Sequence, residues 1–349
     1  MNIYEQQEAN RRTTWIVIAV FIIFFVFLGL GFDFFYLGYG GWSGSGGAGP
    51  AGEPAEGFPI PLGTILALAV GSGQAWWGLR NGDRAVLASA QATQILSSTT
   101  DLNQKQLLNV VDEMRIASGL PMPKVYVIPD ADPNAFATGA DPQHASIAVT
   151  RGLLEKLNRE ELQGVVAHEM SHIRNLDIRV MTTIAALVGA VVLLSDWALR
   201  TMRFGGSRGG GGGRRSKGGG GGVAILVFAL WIITVILAPI IAQILAMAVS
   251  REREYLADAT GAELTRNPGG LAAALKKIEM DVAPTGSIKR GAAHLCIADP
   301  LGRKVGLREG FVADLLATHP PMHLRISKLN QMAYQASPAR PQSGPRLGS

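Results

Sequence analysis

The stretch His168-Glu169-Met170-Ser171-His172 decides how the rest of the chain is read. Two histidines four apart on a helix leave the same face one turn apart, so both imidazoles can reach one metal ion. The glutamate beside the first histidine can touch a water held by that metal. Two ligands and a general base in one helical turn are what a zinc peptidase requires. Val165, Val166 and Ala167 ahead of the motif suit a buried helix, and a long apolar run follows it. Site and membrane therefore adjoin.

Two histidines do not complete a catalytic zinc site, which takes three protein ligands and keeps one position open. One class of sites places a third histidine six residues after the second, with a glycine between. Here those positions hold Ile178 and Asn175, which excludes that class. The other common solution is a glutamate on a second helix, with an aspartate one turn later that bonds a ligand histidine and fixes its tautomer. The run Arg251-Glu252-Arg253-Glu254-Tyr255-Leu256-Ala257-Asp258 supplies both. Glu254 and Asp258 share a face, whereas Glu252 is followed at the same spacing by Leu256. Glu254 is thus the expected third ligand and Asp258 its neighbour's hydrogen-bond partner. The bland alternative is that both acids belong to a solvated charge run.

Outward from the motif, the chain reads as a membrane protein. It has 349 residues, of which 48% are hydrophobic and 17% charged, against about 25% charged in ordinary soluble domains. The net charge of +5 is modest, and no basic patch interleaved with aromatics suggests nucleic acid as a partner. The single cysteine, Cys296, excludes an intramolecular disulfide and reads as a small apolar residue. Four apolar runs are long enough to cross a bilayer, which takes roughly 20 residues: 14–37, 60–79, 178–199 and 223–249. The first is too long for the h-region of a cleaved signal peptide and reads as a retained anchor.

Lys and Arg set the orientation. Arg11 and Arg12 precede the first span, Arg80 and Arg84 follow the second, and the 38–59 segment between them has neither. That predicts a short cytoplasmic segment 1–13, an extracytoplasmic loop 38–59, and a catalytic region facing the cytoplasm. The 200–222 loop, rich in Gly and Arg, should also prefer the cytoplasm, which conflicts with two full crossings by the third and fourth runs. Whether or not they cross, a hairpin of those runs returns the chain to the side it left and brings His172 near Glu254.

The catalytic region comes in two parts, 80–177 and 250–334, followed by a tail 335–349 rich in Pro, Ser and Gly. Helical spacing runs from Asp101 to Ser118 with Gly119 as C-cap. Val125–Ile128 and Ser146–Thr150 read as strands, with a turn-rich stretch Asn134–Gly139 between them. Asn158 with Glu161 forms a capping-box signature at the start of the motif helix. Residues 251–264, 270–280 and 322–334 read as further helices. The fold class expected is mainly α, of the α+β kind: a multi-span helical membrane protein carrying a gluzincin-like metalloprotease domain with a small β-sheet.

These features together resemble the HtpX-type membrane metalloproteases, relatives of the CAAX prenyl proteases. The resemblance rests on the motif at 168–172, the Glu-Tyr-x-Ala-Asp pattern at 254–258 and the flanking hairpin. Asn134-Ala135-Phe136-Ala137-Thr138-Gly139 and Thr318-His319-Pro320-Pro321 extend it. It implies one zinc per chain and hydrolysis of misfolded membrane proteins and unfolded polypeptides. It also implies a bacterial inner-membrane location, cleavage from the cytoplasmic side and a role in stress response. The 134–139 segment resembles an edge strand that would pair with substrate, with Asn134 and Phe136 as contacts. His319 and Arg325 resemble residues placed near the oxyanion. A chaperone-like protein that keeps the fold but cleaves nothing is the competing class. Retention of Glu169 argues against it, and the CAAX-type alternative would want more spans.

Overall fold

The structure is a computed structural model, and it describes residues 3–35, 61–188, 251–281, 285–288, 295–298, 300 and 320–336. The third apolar run is described as far as residue 188. The fourth run, the Gly/Arg-rich loop, the 38–59 loop, His319 and the tail beyond 336 lie outside the described residues.

Helix α1 runs Ile3–Phe35, so the apolar run begins inside a helix that already carries the polar N-terminal segment. Its stretch Glu5–Gly31 is the one described segment long and apolar enough to cross a membrane. Helix α2, Leu62–Ser89, continues well past the apolar run expected at 60–79. The two helices pack antiparallel with glycine at the contacts. A Cβ on Gly29 would lie 2.5 Å from Thr64 Cα, and one on Gly71 would lie 2.9 Å from Phe25 Cβ. Small residues letting backbones approach is how helices associate where water provides no drive. Asp33 closes the junction by accepting bonds from the Gly63 and Thr64 amides and the Thr64 hydroxyl. It caps the start of a helix other than its own.

A four-stranded sheet of order β1-β2-β4-β3 follows. It comprises β1 (Thr93–Gln94), β2 (Lys124–Ile128), β3 (Ala135–Thr138) and β4 (Ser146–Thr150). β2 and β4 are parallel, while β1 on β2 and β3 on β4 are antiparallel. The turn-rich stretch at 134–139 thus contains a strand. Gly139 ends it at φ +148, where a side chain would collide with the His144 carbonyl at 2.6 Å. Helix α3 (Leu102–Ser118) is capped by the Asp101 side chain and ends at Gly119 in the left-handed region, φ +70. A short α4 (Arg151–Lys156) leads to α5 (Arg159–Arg174), which carries the motif and opens with the complete Asn158–Glu161 capping box.

Residues 177–188 form α6, against which α2 is fitted through Gly78 and Gly82 facing Ala186 and Thr182. Beyond the undescribed segment lie α7 (Arg251–Thr265), α8 (Pro268–Met280) and α9 (Met322–Ala336). The main core joins α3, α5, α8 and the sheet through residues such as Leu107, Ile147, Val165, Met170, Leu271 and Leu275, all buried. The described architecture is mostly helical with one small mixed sheet.

Candidate metal centre

Helix α5 is buried on nearly every side from Leu162 to Ile173. It can be so enclosed because glycines admit its neighbours. A Cβ on Gly164 would meet the Leu271 backbone of α8 at 2.8 Å, and one on Gly261 of α7 would sit 3.1 Å from the His168 backbone nitrogen. The Ser171 hydroxyl bonds to the Ala257 carbonyl at 3.1 Å and ties α5 to α7 at the level of the motif.

At that level three side chains converge. His168 Nε2 and His172 Nε2 lie 3.2 Å apart. Glu254 places Oε2 3.6 Å from the first and Oε1 3.6 Å from the second. Ligands about 2.0–2.1 Å from a tetrahedral zinc are separated from one another by about 3.3–3.4 Å. The observed triangle fits that edge length with small adjustment.

Each histidine has an acid behind it. His168 Nδ1 is 3.0 Å from Asp258 Oδ1, and His172 Nδ1 is 3.0 Å from Asp177 Oδ2. A carboxylate at Nδ1 holds the proton there and leaves the Nε2 lone pair facing inward. Arg325 grips Asp258 from the far side with two bonds, Nε to Oδ2 at 2.8 Å and Nη2 to Oδ1 at 2.7 Å. Its Nη1 reaches Glu254 Oε2 at 3.1 Å and the Ile297 carbonyl at 3.0 Å. Burial opposes charge on Asp258, yet the Arg325 charge and bonds, helped by His168, hold its carboxyl at about 2. Burial likewise opposes a charged His168, and Asp258 with Glu254 overcomes it, raising the imidazole to about 9.

Glu169 sits beside the triangle, 1% exposed. Burial pushes its carboxyl upward; the His168 and His172 charges and the Ala137 amide on β3 oppose the rise, and Glu254 adds to it. Neither of its oxygens makes a well-formed hydrogen bond among the described residues. Charge points the same way as distance. Glu169, Asp177, Glu254 and Asp258 are buried around Arg325 and the mostly buried Arg253. Four buried carboxylates outnumber two guanidiniums, and buried carboxylates need positive partners, which the imidazoles or a bound cation can supply.

The expected site residues that the structure describes fall into three groups. His168, Glu169, His172, Glu254 and Asp258 are brought together. Arg325 joins them, but its guanidinium is turned to Asp258 and Glu254 and is fully buried. Asn134 precedes β3 and Phe136 lies on it, the strand whose Ala137 amide meets Glu169, and both are fully buried. The Asn134 amide bonds to the Ala298 carbonyl at 3.0 Å and to Thr285, and Phe136 bridges to Cys296. The outer edge of β3, which would take an extended substrate, is thus paired with the chain's own 296–298 segment.

Peptidase family M48 matches this chain over residues 101–333, a stretch that contains every residue of the triangle. The chain belongs to peptidase family M48. The "Protease HtpX homolog" of Caldanaerobacter subterraneus subsp. tengcongensis is 40% identical over 334 residues, covering 95% of this chain and 98% of the relative. That of Tropheryma whipplei strain Twist is 48% identical over 230 residues, covering 66% and 73%. The crystal structure of S. mikatae Ste24p aligns at TM-score 0.41 with 17% identity, over 76% of this chain and 64% of that one. As an M48 member the protein is a membrane-associated metalloprotease that acts on peptide bonds.

Within the M48 region the motif reading passed over Asp177, which orients the second histidine. The signal was present as an acid five residues after His172. It was not legible as a partner because it stands beyond the helix, past a turn that Leu176 makes at φ +61.

Proposed function

We propose that the protein is an integral-membrane zinc endopeptidase, and that His168, His172 and Glu254 are the metal ligands. The observation that carries this reading is the triangle of 3.2, 3.6 and 3.6 Å between their donor atoms, with a buried carboxylate, Glu169, beside it. Two imidazoles and one carboxylate are a donor set suited to zinc. When bound, zinc supplies Lewis acidity to a water and to the scissile carbonyl.

The chain's own residues do the rest. Asp258 and Asp177 fix the imidazole tautomers. Arg325 holds Asp258 and the ligand carboxylate in one frame and offsets their charge. Glu169 accepts a proton from the attacking water and delivers it to the departing amine nitrogen. Its place in a buried site supports that role, because a carboxylate with a raised pKa is a better base than one in water.

The membrane reading follows the same order. The apolar α1, the glycine contacts of α2 and the distribution of Lys and Arg support a first hairpin with both ends in the cytoplasm. The apolar runs at 178–199 and 223–249 separate the two halves of the catalytic region, 80–177 and 250–334, which share one compartment. This puts the site at the cytoplasmic face of a bacterial inner membrane. Membrane proteins and unfolded chains are then its natural substrates, in keeping with the protease names of its relatives.

Full-length protein purified in detergent should hold about one zinc per chain, as a single three-ligand site requires. Removal of zinc by a chelator should abolish cleavage of casein, and added zinc should restore it. Glu254→Ala should lose the metal. If that variant binds zinc as tightly as the wild type, the third ligand is misassigned.

A further inference from the structure

The start of α1 reaches the metal centre. Gln7 Nε2 donates to the Arg174 carbonyl at 2.7 Å. Asn10 Nδ2 donates to the Asn175 carbonyl at 2.8 Å and to Asp177 Oδ1 at 2.7 Å. Gln7 and Asn10 are three residues apart and share one face of α1. The carbonyls they satisfy belong to the last turn of α5, where the helix has no further amides of its own to offer. Docking α1 there would need only those carbonyl bonds. The second Asn10 bond goes elsewhere, to the acid behind a metal ligand.

Asp177 is fully buried and Asn10 is 1% exposed. One Asp177 oxygen takes the Asn10 amide, and the other takes His172 Nδ1 at 3.0 Å. Among the described residues a guanidinium, Arg253, stands near that carboxylate, but its Nε is 3.8 Å from Oδ1, beyond hydrogen-bond range. Asn10 therefore sets the rotation of the Asp177 carboxylate, and Asp177 sets the ring of His172.

We propose that Asn10, on the membrane helix, is a positioning residue for the metal site, acting through Asp177 on His172. The inference rests on the zinc reading above. It has a physical consequence: the site is complete only while the start of α1 is docked on the end of α5. Residues that orient a ligand's partner commonly change metal affinity by about 10–100-fold when removed.

The test is zinc affinity of the full-length protein in detergent, measured by competition with a chelating dye. Asn10→Leu keeps the branched shape and the number of side-chain heavy atoms, favours the helix more than Asn does, and deletes the donor. It should weaken zinc binding by about 10-fold or more. Gln7→Leu, which deletes a neighbouring bond to α5 that does not touch Asp177, should change the affinity by well under the about 10-fold expected of a ligand's partner. In an Asp177→Ala background, Asn10→Leu should add nothing, because residues acting in series are not additive.

Unchanged affinity in Asn10→Leu, an equal loss in Gln7→Leu, or a full additional loss in the Asp177→Ala background overturns the proposal. Should Asn10→Leu not fold, as judged by its metal-free melting curve, Asn10→Ser carries the same outcomes. Wild-type protein that binds no zinc would sink the zinc reading and this inference together. Wild-type binding with an unmoved Asn10 variant would sink the inference alone.

Discussion

Arg325 carries more of the site's electrostatics than its place on a charged helix suggests. It lies on α9 and is fully buried, bound twice to Asp258 and once to Glu254. Removing it takes the guanidinium away from two buried carboxylates, Asp258 and Glu254. Breaking one side of such a buried pair costs about 3–5 kcal/mol. Arg325→Leu should therefore lower the melting temperature of the metal-free protein sharply, and zinc should recover part of the loss by supplying positive charge. A metal-free melting curve matching that of the wild type would contradict this. Asp258→Ala tests the other half of the clamp, with an expected fall in zinc affinity of about 10–100-fold by the chelator competition used for Asn10. From the sequence, the spacing of Glu254 and Asp258 made both legible because one face of one helix holds them. Arg325 was legible only through the family resemblance, and its burial against those acids was not. No period links a residue on α9 to one on α7, so that contact exists only after the helices pack.

At the scale of elements, the site depends on how closely α7 and α8 approach α5. The Gly164 contact with α8 is the tighter, at 2.8 Å from a notional Cβ to backbone, and backbone cannot yield as a side chain would. Gly164→Ala should destabilise the fold by about 1–3 kcal/mol, the usual cost of overpacking, read from denaturant unfolding. A neutral result would mean that the helices slide apart freely. Asn158→Ala removes half of the capping box and should cost about 1 kcal/mol in the same assay. That box was legible in the sequence because it is local. β3 was legible as a strand only through the family resemblance: its four residues are all buried, so no alternation marks them, and the flanking turn residues read as a turn. Helix α2 was read too short for a related reason. The apolar run ends near Leu79, but the helix continues to Ser89 by packing against α6 through Gly82 and against the sheet through Val86 and Leu87.

At the scale of the molecule, the parts of the site come from far along the chain and meet at one point. The motif helix carries two of the proposed ligands, α7 the third, α9 the clamp and α1 the proposed outermost donor, Asn10. Metal binding should therefore couple to global stability. A ligand at about 100 times its dissociation constant stabilises the native state by about 2.7 kcal/mol. Wild-type protein should melt at a higher temperature with zinc than with excess chelator, and Glu254→Ala should show a much smaller difference. An equal shift in both would mean that zinc binds elsewhere.

The most direct measurement pairs zinc content with casein cleavage for wild type and Glu169→Gln, on the same preparations. Both proteins should hold about one zinc per chain, while loss of the proposed general base should lower the cleavage rate of the variant by about 10²–10⁴-fold. A zinc-loaded Glu169→Gln protein that cleaves at the wild-type rate would contradict the account.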